Sequence, residues 1–247
     1  MMNQQQRPLK VILIGDSCID EYHYGTVDRI SPEAPVPVFV PQRIVCKNGM
    51  AANVAENLKA LGVEVITYFG AQSVKVRLID EKSKQHLLRM DTDKISEPLL
   101  LSTYFPDEVD AIVISDYNKG TVSYELIESL LNRNVPIFID TKKTDLSRMG
   151  SAFVKINDLE FKARKSDAKN MIVTHGGSHV SYKSSLYNVP NVPTFDVCGA
   201  GDTFLSSLVY KYLHSTDIDT SIKFAIKAAS ITVQHSGVYA PTLKEIL

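Results

Sequence analysis

Val11-Ile12-Leu13-Ile14-Gly15-Asp16 is a short apolar run closed by a glycine and a carboxylate. A run this brief and this apolar suits a strand buried on both faces. The pattern recurs along the chain. Ala111-Ile112-Val113-Ile114 ends at Ser115-Asp116-Tyr117, and Pro136-Ile137-Phe138-Ile139 ends at Asp140. Phe153-Val154-Lys155-Ile156 ends at Asn157, and Met171-Ile172-Val173 at Thr174. Val63 to Phe69 reads as a further strand. Helical patterns lie between them: Ala51 to Leu61 (stopped by Gly62), Tyr124 to Asn132, Thr203 to Leu213 and Ser221 to Gln234. Strand–helix alternation of this kind predicts an α/β fold, a mostly parallel sheet with helices on its faces. Such sheets bind ligands beyond the carboxyl ends of their strands. Asp16, Asp116, Asp140, Asn157 and Thr174 all fall there. Acids at strand ends are also ordinary turn formers, so the set, and not any single one, marks a ligand site.

Two segments interrupt the alternation. Ile30 to Pro41 carries Pro32, Pro35, Pro37 and Pro41 among valines. Proline cannot donate to a ladder, which makes this edge-strand or loop material. Val74 to Asp91 is polar and extended, with runs such as Lys75-Val76-Arg77-Leu78-Ile79. The two together predict a small antiparallel flap over the strand ends. There is no internal repeat and no low-complexity tract.

The chain has 247 residues, enough for one large α/β domain or two small ones, and its 44% hydrophobic content supports a real core. Net charge is −1, which leaves no basic field for nucleic acid. Cys18, Cys46 and Cys198 are odd in number and lack CxxC spacing, as expected in a reducing compartment. Met1 to Lys10 is polar, without the apolar core of a signal peptide, and no run approaches the length of a membrane span. The expectation is a soluble, cytoplasmic protein.

The chemistry concentrates in Asp196-Val197-Cys198-Gly199-Ala200-Gly201-Asp202-Thr203-Phe204. Two glycines flanking one alanine let the backbone turn tightly and aim several N–H groups at one point. A helix starting there adds its positive dipole end, which makes an anion site. Asp202 sits where the anion would lie. A carboxylate there suggests a task, such as taking a proton from a nucleophile during phosphoryl transfer to a hydroxyl. The same residues also read as a plain helix N-cap, with Asp202 or Thr203 as the cap. Elsewhere, Asp16 and Asp20 suit hydroxyl-rich ligands, because ionised carboxylates only accept hydrogen bonds; a polar turn is the alternative. Asn48-Gly49-Met50-Ala51-Ala52-Asn53 opens a helix with small residues, either for close ligand approach or for close helix–sheet packing. Asn157 and Glu160 would hold waters of Mg²⁺, or form a capping box, or both. His175 and His179 have the spacing of a helical metal pair, but Gly176-Gly177 argues against a helix there. No GxxxxGK[ST] occurs, which excludes a P-loop as the phosphate device.

Taken together these residues resemble the ribokinase-like (PfkB) family of carbohydrate kinases, and within it the bacterial heptose 7-phosphate kinases of lipopolysaccharide precursor synthesis. Gly15-Asp16, Tyr22-His23-Tyr24-Gly25 and Arg29-Ile30-Ser31-Pro32-Glu33-Ala34-Pro35-Val36-Pro37-Val38 resemble the heptose kinases' flap sequence. Ala51-Ala52-Asn53-Val54-Ala55, Lys75-Val76-Arg77, Ser115 to Gly120, Ile139-Asp140, Lys155, Asn157, Glu160, Asp196 and Gly199 to Asp202 match in order. The resemblance implies a ribokinase-like three-layer sandwich, one kinase domain over residues 1–247 with lid segments near 22–45 and 74–92. It implies an ATP-dependent sugar kinase acting at the anomeric hydroxyl of a phosphorylated heptose. Asp202 would be the base, and the N–H groups of Gly199, Ala200 and Gly201 the anion hole. Asp16, Asp20, Gly49 and Asn53 would hold the sugar, and Lys75 and Arg77 the substrate phosphate. Asn157 and Glu160 would organise Mg²⁺ with ATP; Lys155, Thr174, Gly176, Ser236 and Gly237 would line the nucleotide site. A homodimer through the flap is implied as well. Departures are also visible. Met50 stands where the family usually has a second glycine, Cys198 replaces a threonine, His179 a glycine, and Ile226 an asparagine. A helix-plus-strand unit is missing between Ala71 and Lys75, little helix remains between Phe161 and Met171, and the fused nucleotidyltransferase domain is absent. A kinase for another sugar, or a non-catalytic binding subunit, therefore stays open.

Overall fold

The computed structural model describes residues 7–247; the start of the polar N-terminal stretch lies outside them. Among the described residues twelve strands form two sheets. The strands are β1 (Lys10–Gly15), β2 (Ser17–Ile30), β3 (Pro37–Met50), β4 (Glu64–Phe69), β5 (Ser73–Asp80) and β6 (His86–Thr92). They continue with β7 (Ala111–Asp116), β8 (Ile137–Thr141), β9 (Phe153–Asn157), β10 (Asn170–His175), β11 (His179–Tyr182) and β12 (Ser185–Asn188). The helices are α1 (Ala51–Ala60), α2 (Tyr124–Leu130), α3 (Asp158–Ala163), α4 (Ala200–Ser215), α5 (Ile218–Thr232) and α6 (Leu243–Ile246).

The large sheet runs β12-β11-β10-β9-β8-β7-β1-β4, parallel from β10 to β4 and antiparallel at β11 and β12. Its central strands are apolar on both faces because both are covered. Val11, Leu13, Val113 and Phe138 pack under α1, α4 and α5 through Val54, Leu58, Phe204, Leu208 and Ile222. Ile12, Ile14, Ile112, Ile114 and Ile139 face the other way, against Leu126, Ile127 and Leu130 of α2. The result is the expected three-layer sandwich.

The shortened region is resolved in a specific way. β4 ends at Phe69 and β5 begins at Ser73, so the chain leaves the sheet directly into the flap, and β4 becomes an edge. The apolar surface beside it is covered by residues 93–110, which have no helix or strand. Leu99, Phe105 and Val109 of this segment pack into the second core. The Phe105 ring meets Tyr68 edge-on at 4.7 Å, and the Tyr68 hydroxyl donates to the Tyr104 carbonyl at 2.9 Å.

The flap is the second sheet, ordered β3-β2-β5-β6. Pro37 and Pro41 lie on β3, an edge strand, as proline requires. Cys18, Asp20, Tyr22, Arg77 and Ile79 are buried on the side facing the large sheet's strand ends. Among the described residues no helix is long and apolar enough to cross a membrane.

Candidate active site

Strand order sets the polar residues side by side. Reading across β9, β8, β7 and β1, the rim carries Asn157, Asp140, Asp116 and Asp16. Asp16 is 1% exposed, and its Oδ2 accepts the backbone N–H of Tyr117 at 2.9 Å and of Lys119 at 3.0 Å. Its Oδ1 is buried with no protein partner. A lone carboxylate oxygen out of water is costly unless something donates to it, and a ligand hydroxyl fits that need. Asp116 is held by the Thr141 hydroxyl at 2.7 Å and by Lys143 at 3.3 Å. Burial still pushes its carboxyl above the ordinary carboxylate range.

Asp202 lies in the first turn of α4 and is 5% exposed. Two donors hold it: Asn53 Nδ2 on Oδ2 at 2.7 Å and the Tyr117 hydroxyl on Oδ1 at 3.2 Å. Asn53 is itself fixed by Asn57, whose Nδ2 donates to the Asn53 side-chain and backbone oxygens at 3.2 and 2.9 Å. Thr203 donates to Asn57 Oδ1 at 2.8 Å, which closes the network back onto α4. Burial raises the Asp202 pKa to about 6; the Asn53 bond opposes the rise, the Asp140 charge adds to it, and Lys155 and Tyr117 oppose it. A carboxylate poised there takes a proton more readily than an exposed one and is still ionised at neutral pH.

The start of α4 supplies the anion cradle. Gly199 is the N-cap with φ 78° and ψ −4°, a left-handed conformation that glycine adopts freely. A Cβ at Gly201 would lie 2.9 Å from Lys155 Nζ, so only glycine lets that ammonium approach the helix end. Lys155 pairs with Asp140 at 2.7 Å. Burial works against its charge, but Asp140 outweighs that and holds its pKa above the ordinary value. The Ala200 N–H donates to the Val197 carbonyl at 3.3 Å, a long bond. Among the described residues no protein acceptor takes the N–H of Gly199 or Gly201. Asp196 braces the loop by accepting the N–H of Cys198 and of Gly237, each at 2.9 Å. Burial, with Asp196 beside it, raises the Cys198 thiol to about 11.

A polar cleft of about 140 Å³ joins Asp116, Asp140, Lys142, Lys155, Glu160 and Asp202. Asn157 and Glu160 flank it and form the capping box of α3. Asn157 Oδ1 accepts from Leu159 N–H at 2.9 Å and Glu160 N–H at 3.0 Å, so both its lone pairs are used. Glu160 Oε2 accepts the Asn157 N–H at 2.7 Å, while Oε1 has only Lys142 at 3.5 Å. Beyond the cradle lies a mostly apolar cavity of about 310 Å³, lined by Thr174, Gly176, Val197, Ala200, Ile226 and Val233 among others.

Several sequence-based expectations end up elsewhere. Ser236 and Gly237 do not line that cavity; they face the flap, where the Ser236 carbonyl accepts from Lys47 at 3.4 Å and Gly237 abuts Tyr22. Arg77 is 6% exposed and its Nη1 pairs with Asp20 Oδ1 at 2.6 Å, which fixes the two side chains against each other. Gly49 pairs with Cys18 across the flap and lies against the Asp20 carboxylate. Among the described residues Lys75 makes no ion pair; its Nζ is 5.6 Å from the Tyr117 ring. His175 bonds Asp158 and stacks on His179, and among the described residues no His, Cys, Asp and Glu group is arranged for a metal. Tyr117 and Asn57 were given no role from sequence. The i, i+4 spacing of Asn53 and Asn57 on one helix face was the available signal.

The fold and the cradle define a ribokinase-like α/β kinase. Solved structures agree: a ribokinase from Thermotoga maritima superposes with a TM-score of 0.71 at 15% identity, covering 96% of this chain and 98% of that one. Phosphofructokinase-2 from Escherichia coli gives 0.72 at 16% identity, covering 97% and 96%. Residues 138–245 match the family model of the pfkB family carbohydrate kinases. That stretch belongs to the family. Among curated relatives, the bifunctional protein HldE of Hyphomonas neptunium is 31% identical over 304 residues, covering 96% of this chain and 62% of its own length. HldE of Helicobacter pylori is 29% identical over 305 residues, covering 96% and 66%. This chain thus spans somewhat under two thirds of these relatives. The alignments are longer than its 247 residues, so the relatives carry internal segments that it lacks.

Proposed function

We propose that this carbohydrate kinase transfers the γ-phosphoryl group of ATP to the anomeric hydroxyl of a heptose 7-phosphate. The observation that carries the transfer chemistry is Asp202: a buried carboxylate with its pKa raised to about 6, beside the free N–H groups of a helix start and a buried lysine. In the step, the acceptor hydroxyl gives its proton to Asp202 while its oxygen bonds the γ-phosphorus. The bond from that phosphorus to the bridging oxygen breaks, and ADP leaves. Gly199, Gly201 and Lys155 face the charge on the moving group, which is where such transfers are accelerated. Asp16 Oδ1 accepts from a sugar hydroxyl, and Lys75 meets the acceptor's phosphate. The apolar cavity takes the base of the nucleotide. Mg²⁺ arriving with ATP would neutralise phosphate charge; Glu160 Oε1 is the oxygen left to hold one of its waters, and Asn157 would serve through its free Nδ2 on a phosphate.

The heptose assignment rests on the flap stretch Arg29 to Val38 and on relatives named HldE. Met50, buried between flap and α1, favours a second reading in which the sugar differs. The experiment follows ADP release with Mg-ATP and a panel of D-glycero-D-manno-heptose 7-phosphate, sedoheptulose 7-phosphate and hexose 6-phosphates. Heptose-dependent release at least about a hundredfold above an Asp202→Asn control is expected. Release with hexose phosphates alone would sink the heptose assignment. No sugar exceeding the control would sink the kinase reading.

A further inference from the structure

Tyr117 follows the last residue of β7 and joins more of the site than any residue assigned a role from sequence. Its hydroxyl donates to Asp202 Oδ1 at 3.2 Å, while its backbone N–H donates to Asp16 Oδ2 at 2.9 Å. Lys75 of the flap and Lys142 after β8 approach its ring, at 5.6 and 5.1 Å from the centroid, within cation–π range. One residue thus connects α4, the end of β1, the flap and the polar cleft.

We propose that Tyr117 is a positioning residue for phosphoryl transfer: its hydroxyl fixes the Asp202 carboxylate through Oδ1 while its backbone fixes Asp16. This rests on the reading of Asp202 as the base. The physical case is geometric. A buried carboxylate held on one oxygen can still rotate, and the Asn53 bond fixes only Oδ2. A second donor on Oδ1 defines the carboxylate plane. Each oxygen keeps a further lone pair, so the acceptor hydroxyl is received in one orientation and not in several. The Tyr117 phenol is a donor at every working pH, since burial and the neighbouring Asp202 push its own pKa well above the ordinary tyrosine value.

The surroundings of Asp202 give the sign of the effect. Asn53 from α1, Lys155 from β9 and Tyr117 just after β7 favour its charged form, and Asp140 from β8 opposes it. From β2, Cys18 contributes a thiol raised by burial to about 12, which stays neutral. Lys75 and Lys142 stand at the Tyr117 ring. Removing the phenol oxygen removes a hydrogen bond to the charged form, so proton affinity rises.

The test is Tyr117→Phe, which keeps the ring. Carboxyl-¹³C aspartate labelling, with Asp202→Asn to assign the resonance, reads the Asp202 titration without requiring turnover. The Asp202 midpoint is expected to rise by about one pH unit, and the acid limb of kcat/KM for heptose 7-phosphate to move with it. We expect kcat to fall about tenfold with KM for ATP unchanged, in a protein that melts a few degrees below wild type at neutral pH and closer to it near pH 4. An unmoved midpoint and acid limb in an active enzyme would overturn the role of Tyr117 alone. A moved midpoint in a protein whose wild type turns over no sugar phosphate would overturn the kinase reading, and the catalytic role of Tyr117 with it.

Discussion

Asp202 shows what a residue's type tells and what only its surroundings tell. The motif Gly199-Ala200-Gly201-Asp202 marks an acid at an anion site, and that much is visible in sequence. Its raised pKa is not, because it comes from burial and from Asp140, far away in the chain. Arg77 illustrates the converse. Its charge suggests a phosphate contact, but sequence does not show that pairing of β2 with β5 sets it opposite Tyr22 and buries it against Asp20. The shifted pKa of Asp202 also has a stability consequence. Its folded value of about 6 lies above the ordinary 3.8, so between those values the folded chain binds more protons than the unfolded one. Stability therefore falls as pH rises through that window, and the cost is complete above it, at roughly 3 kcal/mol. Asn in its place is neutral, offers an oxygen to Asn53, and offers an N–H to the Tyr117 hydroxyl. Asp202→Asn is thus expected to abolish transfer yet melt roughly 5 °C or more above wild type at pH 7.5. The gap should close as pH falls towards 4. Thermal melts across that range check it, and a constant gap, or none, would contradict the assignment of a buried charged base.

At the scale of elements, the strands and long helices were legible because apolar runs and 3.6-residue periodicity are local signals. Helix α4 starts at Ala200, not Thr203, since Gly199 supplies the left-handed cap. Residues 93–110 were not legible as a cover for β4: they lack periodicity, and Leu99, Phe105 and Val109 act through tertiary packing alone. The junction of β3 and α1 is the most instructive. Met50 was visible in sequence as a departure from glycine, and the structure shows the conformational side of that departure: φ is 57° and ψ −134°. Side chains rarely adopt such angles, and the strain costs about 1–3 kcal/mol. The surroundings enforce it, with Met50 paired to Ser17 and the next N–H donating to the Asp16 carbonyl at 3.0 Å. Comparing Met50→Gly with Met50→Ala isolates the backbone term, because both remove the buried thioether. Alanine gains about 0.4–1 kcal/mol from a less entropic unfolded chain, which is smaller than the strain. The glycine variant should therefore be more stable by about 1 kcal/mol in urea unfolding. An alanine variant at least as stable as the glycine variant would show that the junction relaxes.

For the whole molecule, the class of fold was legible from the alternation, while sheet order and the two faces of the flap were not. Strand register settles the faces. On β2 the residues Cys18, Asp20 and Tyr22 point towards the site, so Ile19, Glu21 and His23 point away. Their partners place Ile44, Cys46, Val74, Val76 and Leu78 on that outer side, and Leu88 and Met90 continue it on β6. Ile44, Leu88 and Met90 are 56%, 53% and 47% exposed. A four-stranded sheet with one face on the active site and an apolar opposite face is half of a sandwich. We propose that the other half is the flap of a second copy, packed face to face. Sedimentation at micromolar concentration is expected to show a dimer for the wild type. Ile44→Asp combined with Leu88→Lys should give monomers whose melting temperature changes little, because neither side chain reaches the core within one chain. Loss of the outer face would also leave each flap supported from one side only, so the monomeric variant should bind its acceptor more weakly through Lys75 while KM for ATP, whose cavity lies beyond the α4 start, stays unchanged. A wild type that sediments as a strict monomer would refute the pairing, and a monomeric variant with unaltered acceptor KM would refute the coupling between dimer and site.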